Sequence, residues 1–270
     1  MKKVLNLWLK LWREASAFLF SFDTDDSGNA DRVISKFGKD ILFDKAVQKF
    51  LIWNGKRWMI DAGRMVKQMV ENVLNDYRNA VKSLKNASFS EVRFHALTSW
   101  NNSRLNAVVD ILKHRMEIEH EVFDKHPELL NVRNGVIDLR TGKIMPHQRS
   151  LLLTAYIDVD FNPNLDVSQS ELAKFLYSVC CGEEKLCKYL KSCFGDGVTG
   201  ETKEQVFFIL YGKGGNGKTT LIEAISGVLG DYAKNIPIET LTGVTDSRNG
   251  ARPSPELAHI NEVKNLCDSI

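Results

Sequence analysis

The feature that most constrains this chain is a short glycine-rich stretch. Gly212-Lys213-Gly214-Gly215-Asn216-Gly217-Lys218-Thr219 obeys the spacing G-x-x-x-x-G-K-[ST]. A continuous apolar run precedes it, Val206-Phe207-Phe208-Ile209-Leu210, and predicts a strand buried on both faces of a parallel sheet. After it, Leu221, Ile222, Ile225, Val228 and Leu229 fall on one side of a helix, and Gly230 stands where a C-terminal cap belongs. Glycines let the backbone turn tightly enough for successive N–H groups to converge on phosphate oxygens. The helix N-terminus adds partial positive charge at the same point. In such a turn Lys218 reaches the β- and γ-phosphates, the Thr219 hydroxyl ligates Mg²⁺, and Thr220 caps the helix or meets the α-phosphate. The expected binding set for ATP and Mg²⁺ is therefore Gly212, Lys213, Gly214, Gly215, Asn216, Gly217, Lys218, Thr219 and Thr220. Within it Lys218 and Thr219 are the catalytic candidates and Thr219 the metal ligand. The bland alternative is a turn that binds nothing, but a lysine flanked by glycines has no packing purpose.

The other constraints are broader. A chain of 270 residues suffices for one large domain or two small ones. With 43% hydrophobic and 26% charged residues, collagen-like, wholly disordered and disulfide-scaffold classes are excluded. Lys plus Arg is 36 against 34 for Asp plus Glu, so any basic groove must be local. The cysteines, Cys180, Cys181, Cys187, Cys193 and Cys267, are odd in number and follow no clear secretion signal, which predicts reduced thiols and a cytoplasmic protein. Met1-Lys2-Lys3 and the apolar residues after it resemble the start of a signal peptide, but Lys10, Arg13 and Glu14 interrupt the run. No apolar stretch reaches the ~18 residues of a membrane span, so no membrane partner is expected. Residues 1–25 read as an amphipathic segment that packs on the body of the protein or on a missing upstream region, in preference to a helix lying on a membrane surface.

Along the chain, a short helix is expected over Ala30–Phe43. A hairpin is expected from Phe50–Trp53 through Asn54-Gly55 to Lys56–Ile60, since Asn-Gly suits a turn with positive φ at both central residues. Met65, Val66, Met69, Val70, Val73, Leu74 and Tyr77 predict one helix from about Ala62 to Lys85, and Leu105, Val108, Val109 and Leu112 predict another. The texture changes at Pro127. A small β-meander follows around Asn134-Gly135 and Arg140–Lys143, then two helices carrying Leu172–Val179 and Leu186–Phe194, with a break at Gly195–Gly200.

Several clusters read as structural. Adjacent and five-residue cysteine spacings do not fit a zinc site, so Cys180, Cys181, Cys187 and Cys193 are expected as small buried residues. His95, His114, His120, His126, His147 and His259 form no catalytic pattern and default to surface or loop positions. Trp53 and Trp58 could stack on bases, though cross-strand packing is the plainer account. Lys2, Lys3, Lys10 and Arg13 read as a solvated helix face.

The wider sequence adds a resemblance. Leu210–Thr219 resembles the Walker A segment of superfamily 3 helicases. Phe123–Leu139, FDKHPELLNVRNGVIDL, is similar to the poxvirus-type N-terminal domain of phage and plasmid primase-helicases, and Asp26–Arg32 and Trp53–Trp58 resemble stretches that precede it. The resemblance runs from Asp26 to the end of the sequence. It implies an α/β protein: after segment 1–25, a mixed α+β N-terminal domain over 26–196, then an incomplete P-loop, AAA-like parallel-sheet ATPase domain over 197–270. It also implies ATP-driven movement on single-stranded DNA by a hexameric ring, in the service of DNA replication. The family's Walker B acid would fall within Ala258–Ile270, where Ile270 holds the acidic position and Asp268 is close; a sensor and an arginine finger would lie beyond. The expectation is thus a truncated helicase relative, impaired in hydrolysis and not itself hexameric. The alternative is a non-catalytic remnant that binds nucleotide or a full-length partner without turnover.

Overall fold

A computed structural model describes residues 19–82, 90–201 and 206–236. The N-terminal segment up to residue 18 and the stretch holding His259, Cys267, Asp268 and Ile270 lie outside the described residues. The fold is mixed α+β and divides into two compact units. The first is drawn from residues up to Asn54 with Trp58–Val122, the second from Gly55–Arg57 with residues from Phe123 onward.

In the first unit, helix α1 (Asp26–Phe37) starts at Asp25, whose side chain accepts from the Gly28 N–H at 2.6 Å. Strands β1 (Ile41–Asp44), β2 (Lys49–Trp53), β3 (Trp58–Ile60) and β4 (Glu117–Ile118) form a sheet in the order β3-β2-β1-β4. β1 and β2 pair antiparallel from Ile41↔Ile52 to Asp44↔Lys49, and β4 runs parallel to β1. The single helix expected over Ala30–Phe43 is therefore a helix and a strand. Gly38 and the polar residues after it end α1, and Ile41-Leu42-Phe43 is too short and too branched or aromatic to prefer helix over a sheet edge.

Helices α2 (Met65–Lys82), α3 (Ser90–Thr98) and α4 (Asn102–Arg115) complete the unit. Asp61 caps α2: its carboxylate accepts from the N–H groups of Arg64, Met65 and Val66 at 3.0–3.1 Å. Asn101 does the same for α4 through the Arg104 N–H. The core collects the spacings read from the sequence: Val66, Val70, Val73 and Leu74 from α2, Leu105, Val108 and Leu112 from α4, and Ile41, Phe43, Phe50 and Ile52 from the sheet. Each buried aliphatic side chain there contributes about 1.5–3 kcal/mol of transfer free energy.

The hairpin exists, but its turn differs from the expected one. Trp53 pairs with Trp58, leaving Asn54–Arg57 as a four-residue loop in which Gly55 takes φ 96° and Asn54 does not share the left-handed conformation. The tryptophan rings meet across the strands with centroids 5.8 Å apart, and Trp58 is buried. A two-residue turn would have carried Lys56 and Arg57 into the ladder.

In the second unit, β5 (Leu129–Val132), β6 (Gly135–Asp138) and β7 (Lys143–Met145) form the meander in that order. Its first turn is Arg133-Asn134, and Gly135 opens β6 because a Cβ there would lie 2.6 Å from the Met145 carbonyl oxygen. Helices α5 (Glu171–Val179) and α6 (Glu184–Val198) follow. The break expected at Gly195 is helical, and the chain leaves α6 only at Thr199, after Gly197 has been buried. Helix α7 (Lys218–Leu229) packs Leu229 and Ile225 on the meander residues Leu130, Val132 and Ile137.

Val206–Leu210 takes no strand in the structure: Phe207 is 66% exposed and Ile209 75%. The expected parallel strand draws its burial from neighbours on both sides, and no strand flanks this run among the described residues. Among the described residues no helix is long and apolar enough to cross a membrane.

Candidate nucleotide-binding loop

All nine residues singled out in the glycine-rich stretch, Gly212 to Thr220, lie together in one turn and the first turn of α7. Gly217 is the N-cap of α7 at φ 83°, ψ 4°. Two features at that position demand glycine. The left-handed backbone disfavours a side chain, and a Cβ would press on Val179 Cγ2 at 3.1 Å and Phe175 at 3.3 Å. These two residues come from α5, so a helix some forty residues upstream supplies the wall behind the loop. Gly212 shows a similar close approach: a Cβ there would meet Asn216 Nδ2 at 2.6 Å.

Without a side chain at its N-cap, α7 begins with no side-chain hydrogen bond to its first N–H groups. These donors, with the positive end of the helix dipole, are the ordinary ingredients of an anion site. Lys218 adds a cation beside them. Its Nζ donates to the Gly212 and Lys213 carbonyl oxygens, each at 3.1 Å, and to Asn216 Oδ1 at 2.6 Å. The ammonium is thus folded back over the loop it belongs to and holds the turn in shape. Thr219 and Thr220 are exposed at the start of α7.

The far end of α7 is anchored. Gly230 ends the helix, donating its N–H to the Ser226 carbonyl, as the sequence predicts. Asp231 pairs with Arg57, whose guanidinium also donates to the Thr154 carbonyl at 3.3 Å. The Tyr232 hydroxyl accepts from the Asn131 N–H at 3.0 Å, and burial pushes its pKa well above the usual phenol value. Tyr156 sits beneath both cations of the 55–57 loop: Lys56 Nζ lies 5.3 Å from its ring centroid and the Arg57 guanidinium 5.2 Å. None of these partners of α7 could be read from the sequence, since they come from segments 70 to 170 residues distant.

The cysteines split. Cys180 and Cys193 are buried, Cys187 is half-buried and Cys181 is exposed. Burial first, then the Cys187 side chain, pushes the Cys180 thiol up to about 11. Among the described residues no group of three or more His, Cys, Asp and Glu side chains could hold a metal ion.

The histidine default fails at His95, which is buried in the first unit. Its Nε2 lies 3.2 Å from Ser99 Oγ, and Ser99 Oγ donates to the His95 carbonyl and accepts from Asn29 Nδ2. That arrangement suits a neutral ring protonated at Nε2, with Nδ1 accepting from the Tyr77 hydroxyl at 3.4 Å. Burial, with the charges of Arg32 and Arg104, holds its pKa below the ordinary imidazole value.

Comparisons with known proteins place this geometry in context. Residues 30–181 match the family model described as D5 N terminal like, a span that ends before the glycine-rich loop. A protein of Acanthamoeba polyphaga mimivirus named "Putative helicase L207/L206" is 26% identical over 228 residues, covering 75% of this chain and 23% of that relative. The chain therefore spans less than a quarter of the length of the viral protein it matches. With more than half of its residues accounted for by the family model, this chain belongs to the D5 N-terminal-like family.

Proposed function

We propose that this chain binds ATP with Mg²⁺ at Gly212–Thr220 and works in DNA replication, as part of a primase-associated helicase that couples ATP hydrolysis to movement on single-stranded DNA. The observation that carries the reading is the Lys218 ammonium set over a glycine turn whose helix has no side-chain cap. A triphosphate fits that donor set. Its oxygens would take the first N–H groups of α7 and the Lys218 ammonium, exchanging neutral carbonyl partners for charged ones. Bound Mg²⁺ would neutralise phosphate charge in phosphoryl transfer, with the Thr219 hydroxyl as its protein ligand. Lys213, Gly214, Gly215 and Asn216 would shape the cradle, and Thr220 would meet the α-phosphate. The helicase assignment is supported by the family and by the name of the viral relative.

A second reading is binding of nucleotide, or of a longer partner, without turnover. The Val206–Leu210 run, which joins no strand pair among the described residues and exposes Val206, Phe207 and Ile209, favours it, since the described residues do not form the sheet on which such a loop normally rests.

The test is thermal. Ligand at ~100 times its Kd stabilises a protein by about 2.7 kcal/mol. ATP–Mg²⁺ should raise the melting temperature of the wild type and leave Lys218→Ala unmoved. Superimposable wild-type curves with and without ATP–Mg²⁺ would reject nucleotide binding. Robust hydrolysis that vanishes in Lys218→Ala would reject the reading without turnover.

A further inference from the structure

We infer that the cleft between α5 and α6 grips single-stranded nucleic acid. The cleft is open to solvent and has a volume of about 430 Å³. Lys174 and Tyr177 line it from α5, and Glu184, Lys188 and Lys191 from α6. The spacing 184, 188, 191 puts these three on one face of α6. Three lysines against one glutamate leave the cleft basic in a chain whose overall charge is only +2. Lys174 shares its charge with Glu171 at 2.7 Å, an exposed pair that a phosphate can replace.

Tyr177 gives the cleft a second property. Tyr177 is 54% exposed, and its backbone carbonyl closes the turn after α5. The Gly182 N–H donates to the Tyr177 carbonyl at 2.9 Å, and a Cβ at Gly182 would lie only 3.4 Å from the Tyr177 hydroxyl, so the ring leans over a glycine. The Cys187 thiol, 3.6 Å from the Leu176 carbonyl, ties the two helices below the opening. An open aromatic ring beside lysines matches a chain that alternates flat apolar faces with phosphates. A duplex turns its base faces inward, and an acidic peptide has no use for the ring.

The cleft and the nucleotide loop share one helix. Phe175 and Val179 of α5 back Gly217, while Lys174 and Tyr177 of the same helix line the cleft. The choice of ligand rests on the proposed helicase role, and the experiment separates the two readings.

Binding of labelled oligothymidylate to the full chain, followed by fluorescence anisotropy over a salt series, tests the inference. Lys188→Ala/Lys191→Ala should weaken binding at least ~10-fold at low salt and make the slope of log K against log salt shallower by about 1.4, as expected for two lost phosphate contacts. Tyr177→Ala should weaken binding about 10-fold with the slope unchanged, and Tyr177→Phe should bind as the wild type does. Wild-type affinity in the double variant overturns the inference. So does tighter binding of duplex DNA or polyglutamate than of the oligonucleotide. Melting with ATP–Mg²⁺ reads the loop independently and should be unaffected by the double variant. Cleft-dependent oligonucleotide binding without a nucleotide shift would sink the loop and keep the cleft; a nucleotide shift without oligonucleotide binding would sink the cleft alone.

Discussion

Two cations in this molecule are caged by backbone carbonyls, and they do opposite work. In the first unit the Arg32 guanidinium donates to the carbonyls of Leu19, Phe22 and Asp23 at 2.8–2.9 Å and lies 4.1 Å from the Tyr77 ring centroid. In the second, Lys218 donates to the carbonyls of Gly212 and Lys213. Arg32 is 1% exposed, whereas the loop around Lys218 opens to solvent. Burial makes the first cage a lock: the guanidinium itself is shielded from water, and its removal takes a charged donor from three part-buried carbonyls. Exposure makes the second exchangeable, because carbonyls released by Lys218 are rehydrated at once and an incoming anion can claim the ammonium. The same chemistry therefore locks a cation in one unit and leaves it exchangeable in the other.

The largest expected effect tests the lock. Arg32→Ala should cost about 3 kcal/mol, from three carbonyls deprived of a charged donor and the lost contact with Tyr77, read as a lower urea midpoint at an unchanged slope. A loss below about 1 kcal/mol would erase the contrast. Lys218→Ala should change nucleotide-free stability by no more than ~0.5 kcal/mol, yet abolish the ATP-dependent stabilisation of about 2.7 kcal/mol. A large destabilisation without nucleotide would make Lys218 a lock as well. Gly217→Ala falls next. The left-handed backbone and the contact with Phe175 and Val179 predict a loss of roughly 1–2 kcal/mol, accompanied by weaker ATP binding. A variant as stable as the wild type would show that the loop can rearrange freely.

The smallest effect concerns pH. His95 has a folded-state pKa below the 6.5 of an unperturbed imidazole. Above that value the ring is neutral in both states and contributes no pH dependence. Below it the unfolded chain binds the proton first, so stability is lost as pH falls from 6.5 toward the folded value. Wild type should lose stability between pH 7 and 5.5 more steeply than His95→Gln, by up to ~1 kcal/mol, in chemical denaturation at each pH. Parallel pH profiles would remove His95 as the cause.

Both the lock and the glycine-rich loop were only half legible in sequence. The glycine spacing named every residue of the loop, because close approach and positive φ leave glycine as the natural choice at Gly212 and Gly217. It could not name Phe175 and Val179 as the wall, nor Arg57, Tyr156 and Asn131 around the far end of α7. Arg32 lay within an expected helix and a stretch noted for its resemblance, but an isolated arginine carries no periodicity to mark it as buried. The basic groove of α5 and α6 was hidden for the same reason: a net charge near zero says nothing about where three lysines meet.

Local periodicity by itself determined the long helices, the meander and the helix after the glycine turn, because side-chain repeat and turn chemistry act over a few residues. Tertiary structure alone decided which polar side chains became buried, that Ile41–Asp44 joins a sheet, and that Val206, Phe207 and Ile209 pair with no strand among the described residues. Burial is a property of what arrives from elsewhere in the chain, and an apolar run carries no record of whether a neighbour will come to cover it.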